Sequence, residues 1–115
     1  MVPVDSGILS HLRRGALEYC VLAMLREGPT YGFDIARRLT GDGILMASEG
    51  TLYPLLSRLR KSGLVETTWQ ESTSGPPRRY YALTGAGALA LDSFTATWRP
   101  FRDAVDAALN KGEPS

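Results

Sequence analysis

The chain has 115 residues, of which 43% are apolar and 22% charged, a composition typical of one globular domain with one core. No apolar run approaches the ~20 residues that span a bilayer, and residues 1–10 lack the basic-then-apolar order of a secretion signal. We therefore expect a cytoplasmic protein without membrane contact. The net charge of +1 gives no overall attraction to nucleic acid, and a lone cysteine, Cys20, excludes an intrachain disulfide and a thiolate metal cluster.

The first predicted element is a helix over residues 9–27, which Gly28 and Pro29 end. This helix is apolar on two sides, and such a helix needs cover on both. One apolar side can pack against the rest of its own domain. The other side needs a further covering surface, which a chain of this length can hardly supply. We interpret Cys20 as a buried structural thiol, with redox sensing as the alternative. The two apolar stripes comprise Leu17, Val21, Met24 and Leu25, and Leu12, Ala16, Tyr19, Cys20 and Ala23.

Shorter elements follow. Thr30 is expected to cap a second helix over residues 31–39. Glycines in residues 41–43 break this helix, and residues 44–47 form a short apolar connector that could be one strand of a small sheet. The apolar positions of the second helix are Phe33, Ile35, Ala36 and Leu39.

A third helix is expected between Ser48, as its cap, and Gly63, at its end. Its leucines recur at i, i+3, i+4 and i+7, so they form one stripe against the core. Pro54 removes the backbone bond to the Gly50 carbonyl and should loosen the helix start. The opposite face is polar and basic. The stripe comprises Leu52, Leu55, Leu56 and Leu59; the polar face carries Thr51, Tyr53, Arg58 and Lys61.

Two strands are predicted next, over residues 64–70 and 78–83, joined by a loop over residues 71–77. Arg78 and Arg79 are expected at the base of this hairpin. Because neighbouring strand residues point to opposite faces, one arginine could reach DNA while the other pairs with Glu66 or Glu71. We expect Tyr81 in the core, Tyr80 half exposed and Trp69 bracing the hairpin.

A basic helix followed by a hairpin suits duplex DNA, because the major groove admits one helix and basic side chains reach phosphates. The alternative is a solvated helix face with no role. No catalytic constellation accompanies these elements, since His11 is the only histidine and the carboxylates have no metal-ligand spacing. We therefore expect neither an enzyme nor a metal or cofactor site.

Thr84 is expected to cap the last helix, which carries a heptad-type apolar seam. Pro100 lies off this seam and should kink the helix. The seam could pack on the chain's own first helix, or cross onto a partner's first helix in a two-fold dimer. Its aromatic residues could be plain core or could wall an apolar ligand cavity. The seam comprises Leu91, Phe94, Trp98, Phe101, Val105 and Ala108.

Several of these segments together resemble the PadR family of bacterial transcription regulators. Residues 50–59 read GTLYPLLSRL, residues 63–65 read GLV and residues 78–84 read RRYYALT, while the second helix opens with GPTYGFDI over residues 28–35. The resemblance covers residues 9–109. It implies a mainly α fold with a small β-hairpin wing, that is, a winged helix-turn-helix region over residues 1–84 and a C-terminal dimerisation helix and tail over residues 85–115.

The single short C-terminal helix is similar to a small subgroup of the family that includes multidrug-sensing repressors. In that subgroup a tryptophan of this helix stacks with planar aromatic ligands at the dimer centre, and Trp98 matches its position. Thr95, Pro100 and Arg102 depart from the subgroup pattern, and Tyr19 could supply a substitute wall. The resemblance implies a pocket of Tyr19, Phe94 and Trp98 for a small planar or phenolic effector.

The resulting hypothesis is a homodimeric repressor that binds an inverted-repeat operator in double-stranded DNA. The alternative is a winged helix used for protein contact, or a ligand-binding dimer, without a specific DNA target. The resemblance assigns DNA contact to Tyr31, Ser48, Thr51, Tyr53, Arg58, Lys61, Arg78 and Arg79. The expected dimer interface comprises Leu12, Ala16, Tyr19, Leu91, Phe94, Trp98, Phe101 and Val105.

Overall fold

A computed structural model describes residues 2–110 and shows a mostly helical chain with one small antiparallel sheet. Of the predicted C-terminal tail, residues 111–115 lie outside the described residues. The predicted winged-helix fold class is confirmed. The elements in chain order are α1 (Ser6–Arg26), β1 (Thr30–Tyr31), α2 (Gly32–Leu39), a 3₁₀ turn (Glu49–Thr51), α3 (Leu52–Lys61), β2 (Val65–Ser72), β3 (Gly75–Leu83) and α4 (Gly85–Asn110).

Helix α1 begins three residues earlier than the predicted start at residue 9. The cause is Asp5, whose carboxylate accepts a hydrogen bond from the Ile8 amide at 3.0 Å and so satisfies a free donor of the first turn. At the other end, Gly28 adopts a φ of 141°, which lets the chain leave the helix toward the sheet.

The first strand lies where the second helix was expected to begin. Thr30 and Tyr31 pair with Tyr81 and Tyr80 of β3, so Thr30 does not cap α2. Residues 44–47 form a connector, as predicted, and the strand that they could have formed is not present. Asp42 accepts the Ile44 amide and Arg13 donates to the Ile44 carbonyl, so both backbone groups of Ile44 are already bonded outside a sheet.

Helix α3 starts through a 3₁₀ turn, and Ser48 makes no side-chain capping bond to it. Instead the Thr51 hydroxyl donates to the Ser48 carbonyl at 3.1 Å. Because α3 itself begins at Leu52, Pro54 lies in the first turn, where its missing N–H costs little. The predicted end is confirmed: Gly63 has a φ of 78°, and its amide donates to the Arg60 carbonyl.

The hairpin is longer than predicted, because β2 and β3 extend to Ser72 and Gly75 and leave a two-residue turn. The prolines were expected to prevent regular structure here. Pro76 and Pro77 are tolerated because β1 covers β3 only opposite Tyr80 and Tyr81, so β3 has an open edge where the prolines lie. The sheet order is β1-β3-β2.

One core joins the three-helix region to the sheet. All four leucines of the α3 stripe are buried, as predicted, and Tyr81 is buried while Tyr80 is half-buried. Phe33 was expected to share the apolar side of α2, but it is 55% exposed. The largest fully buried side chains are Val21, Leu22, Ile35, Met46, Leu52, Leu56 and Leu59.

Helix α4 is attached at its first turns and projects beyond them. Thr84 caps it as predicted, since its hydroxyl accepts the Gly87 amide at 3.0 Å and donates to the Gly63 carbonyl at 2.7 Å. Leu91 reaches the core, whereas the seam from Trp98 onward is exposed. The helix continues through Pro100 to Asn110. Within residues 2–110, none of the helices combines the length and the apolar character that crossing a bilayer requires.

Candidate nucleic-acid interface

Helix α3 presents an exposed polar face opposite its buried leucines. Thr51, Tyr53, Arg58 and Lys61 are all exposed on the 3₁₀ turn and the helix, and Ser48 is exposed just before them. Three cations lie in the last turn of α3, where they also favour the negative end of the helix dipole. The structure therefore brings the predicted α3 contacts together on one surface.

The Tyr53 ring is positioned by the start of α2. Gly32 is buried against it, and a Cβ at Gly32 would lie 2.9 Å from Cε1 of Tyr53, closer than such atoms approach. The absence of a side chain at residue 32 thus lets the ring lie against the α2 backbone while about half of Tyr53 stays exposed. The two helices of the helix-turn-helix are held in contact at this point.

Tyr31 and Arg78 form a second part of the surface. The Arg78 guanidinium lies 4.7 Å from the centre of the Tyr31 ring, a cation–π distance. Tyr31 also lies 5.6 Å from the Tyr80 ring and 6.3 Å from the Phe33 ring. Phe33 is the member of this cluster that the sequence did not assign to the surface, because its helical spacing alone pointed to the core.

The arginines of the wing differ from the expectation. The register places Arg78 opposite Gln70 and Arg79 opposite Trp69, midway along the hairpin rather than at its base. The expected pairing with Glu66 or Glu71 was wrong within residues 2–110, where neither arginine makes an ion pair. Arg79 instead lies 5.1 Å from the Trp69 ring centre, with its buried Nε unbonded. The two arginines thus contact aromatic rings, Tyr31 of β1 and Trp69 of β2, where carboxylate partners were expected.

A groove of about 530 Å³ separates the N-terminal half of α1 from α3. Arg58 approaches Glu18 across it at 3.9 Å, which is the outer limit of an ion pair and leaves Arg58 largely exposed. Arg13 lies in the same groove, and no pattern in the sequence singles it out. The remaining lining residues are Ser10, Arg14, Leu17, Met46, Ala47, Ser48, Gly50, Thr51, Pro54 and Leu55.

The predicted pocket residues form a ladder of rings between α1 and α4. Tyr19 stacks on Phe94 with ring centres 4.2 Å apart, and Phe94 stacks on Trp98 at 6.0 Å. Phe101 continues the ladder at 6.4 Å from Trp98. Beside it lies a cavity of about 300 Å³, lined by His11, Leu12, Gly15, Ala16, Phe94, Thr97, Trp98 and Phe101.

Cys20 is half-buried, and burial raises the pKa of its thiol. The thiol is therefore kept neutral, which suits a structural role. In the part of the chain that the structure describes, His, Cys, Asp and Glu side chains form no cluster that could hold a metal ion.

Comparison with known proteins identifies the family. Residues 21–93 match the model of the transcriptional regulator PadR-like family, which is more than half of the chain. The chain belongs to the PadR-like family. A PadR family transcriptional regulator from Eggerthella lenta is 37% identical, with a TM-score of 0.78 and 93% of both chains covered.

Other relatives span the chain in the same way. A PadR-like transcriptional regulator from Bacillus cereus is 35% identical, with a TM-score of 0.79 over 90% of this chain and 99% of that one. An uncharacterized protein of Lysinibacillus sphaericus is 26% identical over 101 residues, which are 86% of this chain and 93% of the relative. The homologues are PadR-family transcriptional regulators, a class of DNA-binding regulators and not of enzymes.

Proposed function

We propose that this PadR-family protein is a homodimeric transcriptional repressor that binds an inverted-repeat operator in double-stranded DNA. The observation that supports this most is the single exposed surface formed by α3, the start of α2 and the wing. It carries Arg58 and Lys61 on α3 and Arg78 on β3, together with the exposed hydrogen-bonding side chains of Thr51 and Tyr53. As a regulator of chromosomal genes, the protein would act in the cytoplasm.

In this proposal α3 enters a major groove, where Thr51 and Tyr53 face base edges and Arg58 and Lys61 reach phosphates. Arg78, held over Tyr31, reaches the backbone or minor groove beside the wing. Arg79 supports the wing through Trp69 and contacts the backbone at its exposed edge. Two-fold symmetry then places half-sites roughly 34 Å apart, one turn of the duplex.

The dimer is proposed from apolar surface that one chain leaves uncovered. Trp98 is 40% exposed, Phe101 61% and Val105 39%, and Leu12 on α1 is also exposed. An apolar face of this extent favours burial against a second copy. We propose that residues 85–115, which include α4 (Gly85–Asn110), form the dimerisation region and that residues 1–84 form the DNA-binding region, with α1 shared between the two.

The ring ladder supports a proposal of ligand response. The cavity beside Phe94 and Trp98 has a flat aromatic wall, which suits a planar or phenolic effector. Tyr19 does not line the cavity, but it supports Phe94 by stacking on it. The proposal also draws on the sequence position of Trp98, which resembles that of the ligand-stacking tryptophan in the multidrug-sensing subgroup. A ligand there would change the distance between the two α3 helices and so release DNA.

The DNA-binding proposal is tested with a duplex from the intergenic region beside the protein's own coding sequence. Tight binding is expected, with an affinity that falls steeply as salt rises because several phosphates are contacted. The double variant Arg58→Ala/Lys61→Ala should lower the slope of log affinity against log salt by about 2. The matched variant Arg58→Lys/Lys61→Arg keeps both charges and should keep the slope. No affinity for any duplex at low salt would sink the proposal.

The ligand proposal has a separate test. A panel of planar aromatic compounds is screened for quenching of tryptophan fluorescence and for release of the operator duplex. Trp98→Ala should remove the ligand-induced release of the operator, whereas Trp69→Ala, which alters the wing and not the cavity, should keep the quenching of Trp98. An unchanged response of Trp98→Ala across the panel would count against a ligand site here.

A further inference from the structure

We infer that Arg13 is a positioning residue for the recognition helix, a role that rests on the proposed DNA-binding function. Arg13 lies in the N-terminal half of α1, on the side that faces the loop between α2 and α3. Its Nε donates to the Ile44 carbonyl at 2.8 Å, and its terminal nitrogen donates to the Gly43 carbonyl at 2.5 Å. These bonds join residues that are 31 and 30 positions apart in the chain.

The loop that Arg13 holds leads directly into the 3₁₀ turn and α3. Its own bonds are local: the Gly43 amide donates to the Thr40 carbonyl, and the Ile44 amide donates to Asp42. Among residues 2–110, the hydrogen bonds that tie residues 41–47 to a different helix come from Arg13 alone. The other anchor is the buried side chain of Met46.

The chemistry of arginine suits this role. The planar guanidinium donates to two neighbouring carbonyls at once, so it fixes both the position and the direction of the loop. A lysine at residue 13 would keep the charge but would act as a single compact donor. Because Ser48 provides no side-chain cap, the start of α3 depends on how the preceding loop is held. Loss of the two bonds would leave the core intact and let the start of α3 vary in orientation.

The same segment of α1 faces the aromatic cavity on its other side. Leu12, Gly15 and Ala16 line that cavity, while Arg13 and Arg14 line the groove beside α3. Arg14 offers the matched control, because it shares the groove and the charge but makes no hydrogen bond or ion pair within the described residues. A comparison of variants at Arg13 and Arg14 therefore distinguishes an effect of the two hydrogen bonds from an effect of positive charge in the groove.

The test compares Arg13→Ala, Arg13→Lys and Arg14→Ala on the intergenic duplex and on a scrambled duplex of equal composition. We expect both Arg13 variants to lose at least on the order of tenfold in the ratio of the two affinities, since each variant gives up at least one charge-assisted bond and one such bond contributes about that factor. The salt slope should not change. Arg14→Ala should keep the ratio. If Arg13→Ala fails to fold, Arg13→Lys carries the test, because it keeps the stem and the charge.

Two results would overturn the inference. One is a wild-type affinity ratio in both Arg13 variants. The other is a salt slope lowered by about 1 in Arg13→Ala and restored in Arg13→Lys, which marks a direct phosphate contact. Hydrogen exchange gives a readout without DNA: amides of residues 44–52 should exchange at least threefold faster in Arg13→Lys than in wild type or Arg14→Ala. Equal exchange rates in Arg13→Lys and wild type would also reject the positioning role of Arg13. This result does not depend on whether the wild type binds DNA.

Discussion

Tyr19 and Phe94 stack almost face to face within one chain, with ring centres 4.2 Å apart and planes 10° from parallel. This contact joins α1 to α4, as does the ion pair of Arg26 with Asp92 at 2.6 Å. The first part of the seam on α4 therefore packs on the chain's own α1. The exposed part, from Trp98 onward, is what remains for a partner.

The stack should contribute measurably to stability. Tyr19→Ala removes one ring and is expected to lower the free energy of unfolding by about 2 kcal/mol, from lost burial and lost ring contact. Tyr19→Phe keeps the ring and should cost little. Both are measured by chemical denaturation at one fixed protein concentration, since a dimer's stability depends on it. Equal stability of the two variants would contradict the prediction.

The close packing of α4 against Leu64 and Leu83, at the start of β2 and the end of β3, depends on Gly87. A Cβ there would collide with the Leu64 carbonyl oxygen and approach the Leu83 side chain at 2.7 Å. Gly87→Ala should lower the free energy of unfolding by about 1–3 kcal/mol, the usual cost of overpacking. Gly85→Ala meets nothing within 4 Å and should be neutral or stabilising by up to about 1 kcal/mol. Thermal and urea unfolding measure the stability of both variants. Equal stability of Gly87→Ala and Gly85→Ala would refute the packing argument.

Gly32 should matter for DNA affinity more than for stability. In Gly32→Ala the new methyl group pushes the movable end of the Tyr53 ring, which costs the fold little but shifts a proposed DNA contact. Operator affinity is expected to fall on the order of tenfold, equivalent to about 1.4 kcal/mol. Gly41→Ala, with its nearest contact at 3.6 Å, is the control. Fluorescence anisotropy measures affinity; full affinity of Gly32→Ala would argue against a Tyr53 contact.

The dimer proposal predicts that an aspartate introduced at residue 105 and one introduced at residue 107 have different effects on the oligomeric state. Val105→Asp places a charge on the exposed seam and should shift the protein to monomers at micromolar concentration, because an unpaired buried charge is costly. Ala107→Asp adds the same charge about 200° further round the helix and should leave a dimer. Sedimentation equilibrium gives the masses. A wild-type protein that is monomeric at micromolar concentration would exclude the proposed assembly.

Cys20 should react slowly and make stability depend on alkaline pH. Because burial raises the pKa of the thiol, native protein at pH 8 should be alkylated by iodoacetamide more slowly than denatured protein. The raised pKa stabilises the fold fully below the unfolded-state pKa of about 8.5, and this contribution is lost as pH rises through the folded-state pKa. Cys20→Ala should remove that part of the alkaline decline, and an identical pH profile in both proteins would contradict it.

The periodic features of the chain were predictable from sequence. The α3 leucines, the Gly63 ending, the Thr84 cap and the burial of Tyr81 follow from local spacing and turn chemistry, and each is found in the structure. Tyr31, Thr51, Tyr53, Arg58 and Lys61 could also be grouped as a candidate surface. Their role in DNA binding stays a prediction.

Several of the errors come from contacts between residues far apart in the chain. Thr30 was read as a cap because its local chemistry allows one, but pairing with Tyr81 makes it a strand residue. Phe33 has core spacing, yet it lies at the surface in a ring cluster with Tyr31, which itself contacts Tyr80 of β3. Arg78 and Arg79 of the wing contact the rings of Tyr31 and Trp69 and not carboxylates, because strand register decides which side chains are neighbours.

The sequence by itself determined the family, the order of most elements and the buried leucine stripe of α3, because these depend on patterns within about a dozen residues. Only the tertiary structure decided that Arg13 holds the loop before α3, that Gly32 admits the Tyr53 ring and that Tyr19 stacks on Phe94. Each of those is a distance between segments that the chain brings together from afar. Local propensity does not encode such distances; packing of the whole core sets them.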